Sequence, residues 1–170
     1  MSIDFTDISE IKKVVKPWGY EIWMANGSPN FKYALKQIFF KSKYKTSIQF
    51  HEFKEETTYV KEGKGLFYYS TTKIDLKRFK KNDYSQNELN EIISNFKTKE
   101  LNPGVIIHIK PGIVHRVESI DNLMTIEAST VELDDVYRLN DEWNRDHGKI
   151  DREINYWIIW IIKNIINSLF

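Results

Sequence analysis

Residues 47–65 read SIQFHEFKEETTYVKEGKG, a strand-like run that carries Gln49, His51 and Glu56 ahead of two glycines, Gly63 and Gly65. In an extended chain residues two apart point to the same side, so Gln49, His51 and Phe53 are expected to share a face, with Ser47 before them. The glycines let the chain turn back as an antiparallel partner, a hairpin that brings Glu56 beside His51. A second segment, PGVIIHIKPGIVHRVES (103–119), repeats the pattern: Gly104 opens a strand, KPG makes a turn and His115 opens the next strand. Two imidazole nitrogens and two oxygens, from His51, His115, Gln49 and Glu56, make a donor set suited to a divalent ion such as Zn, Mn, Fe or Ni. Spacing alone leaves the alternative open, since a histidine on a strand is more often a hydrogen-bonded structural residue and KEETT reads equally well as an exposed charged run.

Working outward, short β-rich segments recur at 20–25, 33–41, 46–53, 57–63, 65–72, 104–110, 115–120 and 124–130. That density, with no helices alternating between the strands, predicts an all-β sandwich or barrel and excludes a parallel α/β sheet. One helix is expected within an insertion at 73–101: SQNELNEIISNFK (85–97), capped by Ser85, with Leu89, Ile92, Ile93 and Phe96 on one face. The insertion is expected to serve as a flap, a subunit contact or surface decoration.

The chain of 170 residues is long enough for one core, and 41% hydrophobic with 29% charged residues is the balance of a folded globular domain. With 25 basic and 24 acidic residues the net charge is +1, so nothing calls for nucleic acid or an anionic membrane surface. Absence of cysteine excludes disulfides and thiolate ligands and fits a cytoplasmic setting. The N-terminal MSIDFTDISEIKKVV lacks the apolar core of a secretory signal. At the other end, Ile154, Trp157, Ile158, Ile161, Ile162, Ile165, Ile166 and Leu169 recur at helical spacing, while Lys163, Asn164 and Asn167 break the run below spanning length. The expected organisation is therefore a β domain over 1–150 with an N-terminal arm, and an amphipathic helix near 151–168 that packs on the barrel or on a second subunit of a homodimer.

These motifs resemble those of the cupin superfamily. His51, Glu56 and Gly63 follow its first motif in order, with Phe53 where a second histidine is usual. Gly104, Gly112 and His115 follow the second, with Lys110 in the proline position and Ser119 in place of an asparagine. The stretches KPWGYE (16–21), SIQFHEFKEE (47–56) and IEASTVELDDVYRLNDEWNR (126–145) are similar to small cupins related to the mannose-6-phosphate isomerase domain, with Lys54 where that domain has arginine. The resemblance implies a single cupin β-barrel or jelly roll in which Gln49, His51, Glu56 and His115 hold one divalent metal, and a metal-dependent aldose–ketose isomerase acting on a small, phosphorylated carbohydrate. His108 and Lys110 are the candidate catalytic residues, and Arg116, Lys36, Arg138 and Arg145 the candidate substrate contacts. Trp18, Tyr20, Phe53, Tyr59 and Tyr68 are candidates for a sugar-facing wall. A carbohydrate-binding cupin without turnover and an iron-dependent cupin dioxygenase built on His51, Glu56 and His115 are the alternatives.

Overall fold

The computed structural model describes residues 3–148 apart from Lys12 and Ser28, so the helix expected near 151–168 lies outside the described residues. Among the described residues eleven strands form two antiparallel sheets. In chain order they are β1 (Lys13–Lys16), β2 (Gly19–Asn26), β3 (Ala34–Phe40), β4 (Ile48–Phe50), β5 (Glu56–Glu62), β6 (Gly65–Lys73), β7 (Lys97–Leu101), β8 (Ile106–Ile109), β9 (Ile113–Ser119), β10 (Leu123–Ser129) and β11 (Tyr137–Asn140). One sheet runs β1-β2-β3-β10-β5-β8 and the other β11-β4-β9-β6-β7. The architecture is thus a sandwich of two sheets: the five-stranded one carries His115 on β9 and leads into His51 after β4, and the six-stranded one carries Glu56 at the start of β5.

Alternation writes this arrangement into β3, ALKQIFF, where Ala34, Lys36, Ile38 and Phe40 are buried and the residues between them are half-buried. Ile38 and Phe40 join Trp18, Val60, Phe67, Leu101, Ile109 and Leu123 in the core between the sheets. The β5–β6 hairpin depends on Gly63, at φ +85°, because a Cβ there would sit 1.9 Å from the Asn122 carbonyl oxygen. No L-residue with a side chain fits that place.

Between β6 and β7 lie two helices, α1 (Leu76–Lys80) and α2 (Gln86–Ser94). Ser85 and Glu88 close a capping box at the start of α2, as the sequence predicts. The helix ends at the Asn95 cap, earlier than expected, and residues 97–101 extend instead as β7, paired along β6 from Tyr69↔Lys97 to Gly65↔Leu101. Part of the expected insertion is therefore an edge strand. The rest is a cover: Phe79, Leu89, Ile92 and Phe96 pack with Ile48, Phe50 and Val114, outward-facing residues of β4 and β9. Burying Phe50 completely gives that contact an apolar stabilisation of about 2–3 kcal/mol.

The outer face of the six-stranded sheet mixes apolar residues with polar ones such as Gln37, Thr57 and His108. Cross-strand register aligns Ile106, Tyr59, Ile126 and, beyond Gln37, Ile22 in one row. A neighbouring row holds Met124, Phe39, Tyr20 and Val15.

Candidate metal centre

His51 follows the last residue of β4, Glu56 opens β5 and His115 lies on β9. All three are buried, and one ligand atom from each lies within 4.8 Å of the others. Their orientation comes from backbone carbonyls. His51 Nδ1 contacts the Asp135 carbonyl oxygen and His115 Nδ1 lies 3.0 Å from the Ile113 carbonyl oxygen. A carbonyl can only accept, so each neutral imidazole carries its hydrogen on Nδ1 and presents a bare Nε2. Those Nε2 atoms lie 3.7 Å (His51) and 3.5 Å (His115) from Glu56 Oε1, and His51 Nε2 is buried with no hydrogen-bond partner. Two lone pairs and a carboxylate thus converge in one buried space. This donor set, with the Asp135 and Ile113 carbonyls fixing both rings, fits a divalent metal ion.

Local sequence explains how Glu56 reaches the histidines. The strand expected over 46–53 stops at Phe50, and the chain turns around Asp135, whose carboxylate accepts from the backbone N–H of Glu52 at 2.8 Å, Phe53 at 2.6 Å and Lys54 at 2.8 Å. Strand parity is lost in this turn. Phe53, expected on the site face, is 63% exposed, and Lys54 goes inside instead. Hydrogen bonds to a charged acceptor contribute about 1.5–3 kcal/mol each and three on one carboxylate are not additive, so Asp135→Ala is expected to destabilise the protein by about 2–3 kcal/mol. Thermal denaturation checks this, and Asp135→Asn, which keeps one acceptor oxygen, is expected to lose less.

Inside, Lys54 Nζ donates to Glu56 Oε2 and, at 2.9 Å, to Glu127 Oε1. Lys36 Nζ lies 3.5 Å from Glu127 Oε1 and 4.0 Å from Glu21 Oε2, and Glu21 accepts from Trp23 Nε1 at 2.6 Å. A ladder of alternating charge thus crosses the inner face of the six-stranded sheet and ends at the histidines. Burial opposes every charge in it. For Lys54 that cost is outweighed by Glu127 and Glu56, which hold its pKa above the ordinary lysine value. For Glu56 it is outweighed by Lys54 and then by contacts with His115 and His51, which hold the carboxyl well below its ordinary 4.5. Glu127 is held below the same value, burial and Glu56 opposing, Lys36 and Lys54 prevailing.

The sign of the resulting pH dependence follows. A carboxyl whose folded pKa lies below its unfolded one binds protons more readily in the unfolded chain, so its stabilisation is present above the ordinary value of 4.5 and is lost as pH falls below it. Melting temperature is expected to be nearly level from pH 7 to 5 and to drop steeply below 4.5. A melting temperature that held or rose on going to pH 3.5 would contradict the charge ladder.

No protein-family model matches the chain, and no curated protein sequence matches it significantly. Solved structures do. The capsular polysaccharide assembling protein CapF from Staphylococcus aureus superposes with a TM-score of 0.58 at 16% identity, over 81% of this chain and 33% of CapF. KdgF from Halomonas sp. gives 0.54 at 12% identity, over 75% of this chain and 94% of KdgF. Lactobacillus farciminis oxalate decarboxylase, in a formate complex, gives 0.58 at 11% identity, over 82% of this chain and 37% of the decarboxylase. The chain therefore spans about a third of CapF and little more of the decarboxylase.

The chain has the cupin fold.

Within this fold a cavity of ≈140 Å³ opens beside the histidines, lined by Gln49, Lys54, Glu127, Trp18 and Trp23 among others. Gln49 is paired across β4 and β9 with His115, and its Oε1 accepts from Ser47 Oγ at 2.6 Å. Lys36, Arg138 and Arg145 also reach the cavity wall. Arg145 is forked onto the Asp141 carboxylate at 2.9 and 2.8 Å, and Arg138 bonds the Asp146 and Gly148 carbonyls.

Other expected site residues lie elsewhere on the two sheets. His108, 2.9 Å from Thr57 Oγ1, faces the outside of the sheet, and Lys110 makes an exposed pair with Glu55 at 2.7 Å, because Ile107 and Ile109 hold the inward positions of this segment. Arg116 points away from His115, its neighbour in β9, and bonds the Thr46 carbonyl and Glu142. Of the aromatic candidates, Trp18 lines the cavity, whereas Phe53 and Tyr59 are exposed and Tyr20 stacks on Phe39 at 5.0 Å on the outer face. Tyr68 donates to Glu118 at 2.8 Å. Lys54, Glu127, Glu21 and Trp23 line the cavity as well, and motif spacing does not identify them as site residues. Glu127 stands in the quoted IEAST stretch and Lys54 at the arginine position, the signals that point to them.

Proposed function

We propose that the chain is a metal-dependent cupin that interconverts the aldose and ketose forms of a small phosphorylated carbohydrate, as mannose-6-phosphate isomerases do. His51, Glu56 and His115 hold the ion in this reading, with Gln49 as a fourth oxygen donor. A bound Zn, Mn, Fe or Ni ion would polarise the substrate's carbonyl and hydroxyl oxygens. The observation that carries the proposal is the buried Lys54 ammonium between Glu56 and Glu127 in the cavity beside the ligand cluster. Held above its ordinary pKa, it stays charged and stabilises negative charge that gathers on an enediol-like intermediate. Glu127, a cavity carboxylate outside the ligand set, takes the proton from one carbon and returns it to the next. Trp18 and Trp23 supply apolar wall for the sugar's C–H faces, and Lys36, Arg138 and Arg145 supply positive charge for the phosphate. The cavity's volume of ≈140 Å³, below that of drug-sized pockets, suits a single small metabolite.

Elemental analysis of the purified protein, coupled to a screen of hexose phosphates in deuterated water, tests this. Bound metal with deuterium entering at the sugar's second carbon, lost in Glu127→Gln while the metal stays, is the expected result. Metal and saturable sugar binding without exchange would move the reading to a carbohydrate-binding cupin.

One observation favours a second reading. Gln49 Oε1 is engaged by Ser47, and His51, Glu56 and His115 then form a two-histidine, one-carboxylate triad of the kind that holds iron in oxygenases. Oxygen consumption dependent on ferrous iron would select it.

A further inference from the structure

We infer that Thr125 is a specificity-determining residue of the cavity, its hydroxyl bonding a hydroxyl of a polyhydroxylated ligand; the inference rests on reading that cavity as the substrate site. Thr125 lies on β10 and lines the cavity, as does Glu127 two residues further on. It is only 1% exposed, and its Oγ1 has no hydrogen-bond partner among the described residues. The buried serines differ in this respect. Ser47 donates to Gln49 Oε1 at 2.6 Å, Ser70 to the Thr72 carbonyl at 2.8 Å, Ser119 to the Tyr44 carbonyl at 3.0 Å and Ser129 to the Thr130 carbonyl at 3.0 Å.

Nothing in the packing calls for a hydroxyl at this place. Ile38 of β3 and Val60 of β5 stand directly opposite Thr125, and Phe40, Phe67 and Leu101 line the same cavity. A valine of the same shape would suit such neighbours. Burying a hydroxyl without a partner costs stability, so a bare one on a cavity wall points to a ligand that completes it. Position narrows the class of that ligand. Across β10 and β5, Ser129 pairs with Glu56, Glu127 with Thr58 and Thr125 with Val60. Thr125 is therefore the farther of the two from the metal-ligand carboxylate, about 7 Å beyond Glu127 along the strand. A molecule that meets Glu127 reaches Thr125 only with a second polar group several bonds away. A sugar chain carries a hydroxyl on successive carbons, whereas a two-carbon acid is too short.

Calorimetric titration of the purified full chain with mannose 6-phosphate, glucose 6-phosphate and fructose 6-phosphate tests this, alongside thermal denaturation. Thr125→Val is expected to weaken the tightest of the three by roughly 10–100-fold, the effect of removing one buried hydrogen bond, while its melting temperature is no lower than that of the parent. Thr125→Ser, which keeps the hydroxyl, is expected to bind within a few-fold of the parent. One mono-deoxy form of that sugar should bind the parent weakly and lose nothing further on Thr125→Val. Unchanged affinity in Thr125→Val, a melting temperature that falls in it, or a parent that binds none of the three sugars would each overturn the inference. Binding that weakens in Thr125→Val without deuterium exchange at the sugar's second carbon would support it while removing the isomerase reading.

Discussion

Replacing Lys54 by methionine is expected to lower stability by about 3–5 kcal/mol, because it removes the cation shared by two buried carboxylates while keeping most of the side chain's volume. Taking charges out of water costs several kcal/mol per ion, and here Lys54 offsets that cost for both Glu56 and Glu127. Lys36, at 3.5 Å from Glu127, compensates only one of them. For a chain of this size the loss corresponds to a fall in melting temperature of roughly 6–20 °C. The acid transition should also move to higher pH, since Glu56 and Glu127 lose the neighbour that keeps them ionised. Adding Glu127→Gln to Lys54→Met is expected to restore part of the loss. A melting curve unchanged by Lys54→Met would show that the ammonium is not the keystone of the ladder.

The second large effect is expected at Glu56→Gln. Glutamine keeps the shape of the side chain but removes the only negative charge in the proposed ligand cluster and leaves Lys54 facing the two imidazoles. Changing groups that merely support a metal's ligands costs about 10–100-fold in affinity, so loss of a ligand charge should cost on the order of a hundredfold or more. Competition with a chelator of known affinity reads this directly. Glu55→Gln, an exposed neighbour paired with Lys110, is expected to leave metal affinity unchanged. Equal affinities in the two variants would detach Glu56 from the metal.

Much of the fold is legible in residue alternation. ALKQIFF and TIEAS show their buried faces without help, and Ser85 with Glu88 announces α2. The short edge strands KVVK and YRLN are not readable this way, because four residues carry too little pattern and their pairing is decided by β2 and β4. At the site, His51, Glu56 and His115 could be singled out from the motif spacing, and the structure brings all three together. Lys54 could not, because its inward turn is imposed by Asp135, a residue 81 positions away. Strand parity, extended past Phe50 as if the strand continued, puts Phe53 inside and Lys54 outside, the reverse of what the turn produces. For His108 and Lys110 the parity was right and the face was not; the apolar Ile107 and Ile109 between and before them carried the information about which side is buried.

The central claim is that two imidazoles and one carboxylate hold a single cation. Titrating chelator-stripped protein with Zn, Mn, Fe and Ni ions, with calorimetric stoichiometry, tests it most directly. The account predicts one saturable site per chain for at least one of these ions, abolished separately in His51→Ala and His115→Ala. No saturable binding of any of the four, or an undiminished site in either alanine variant, would contradict it.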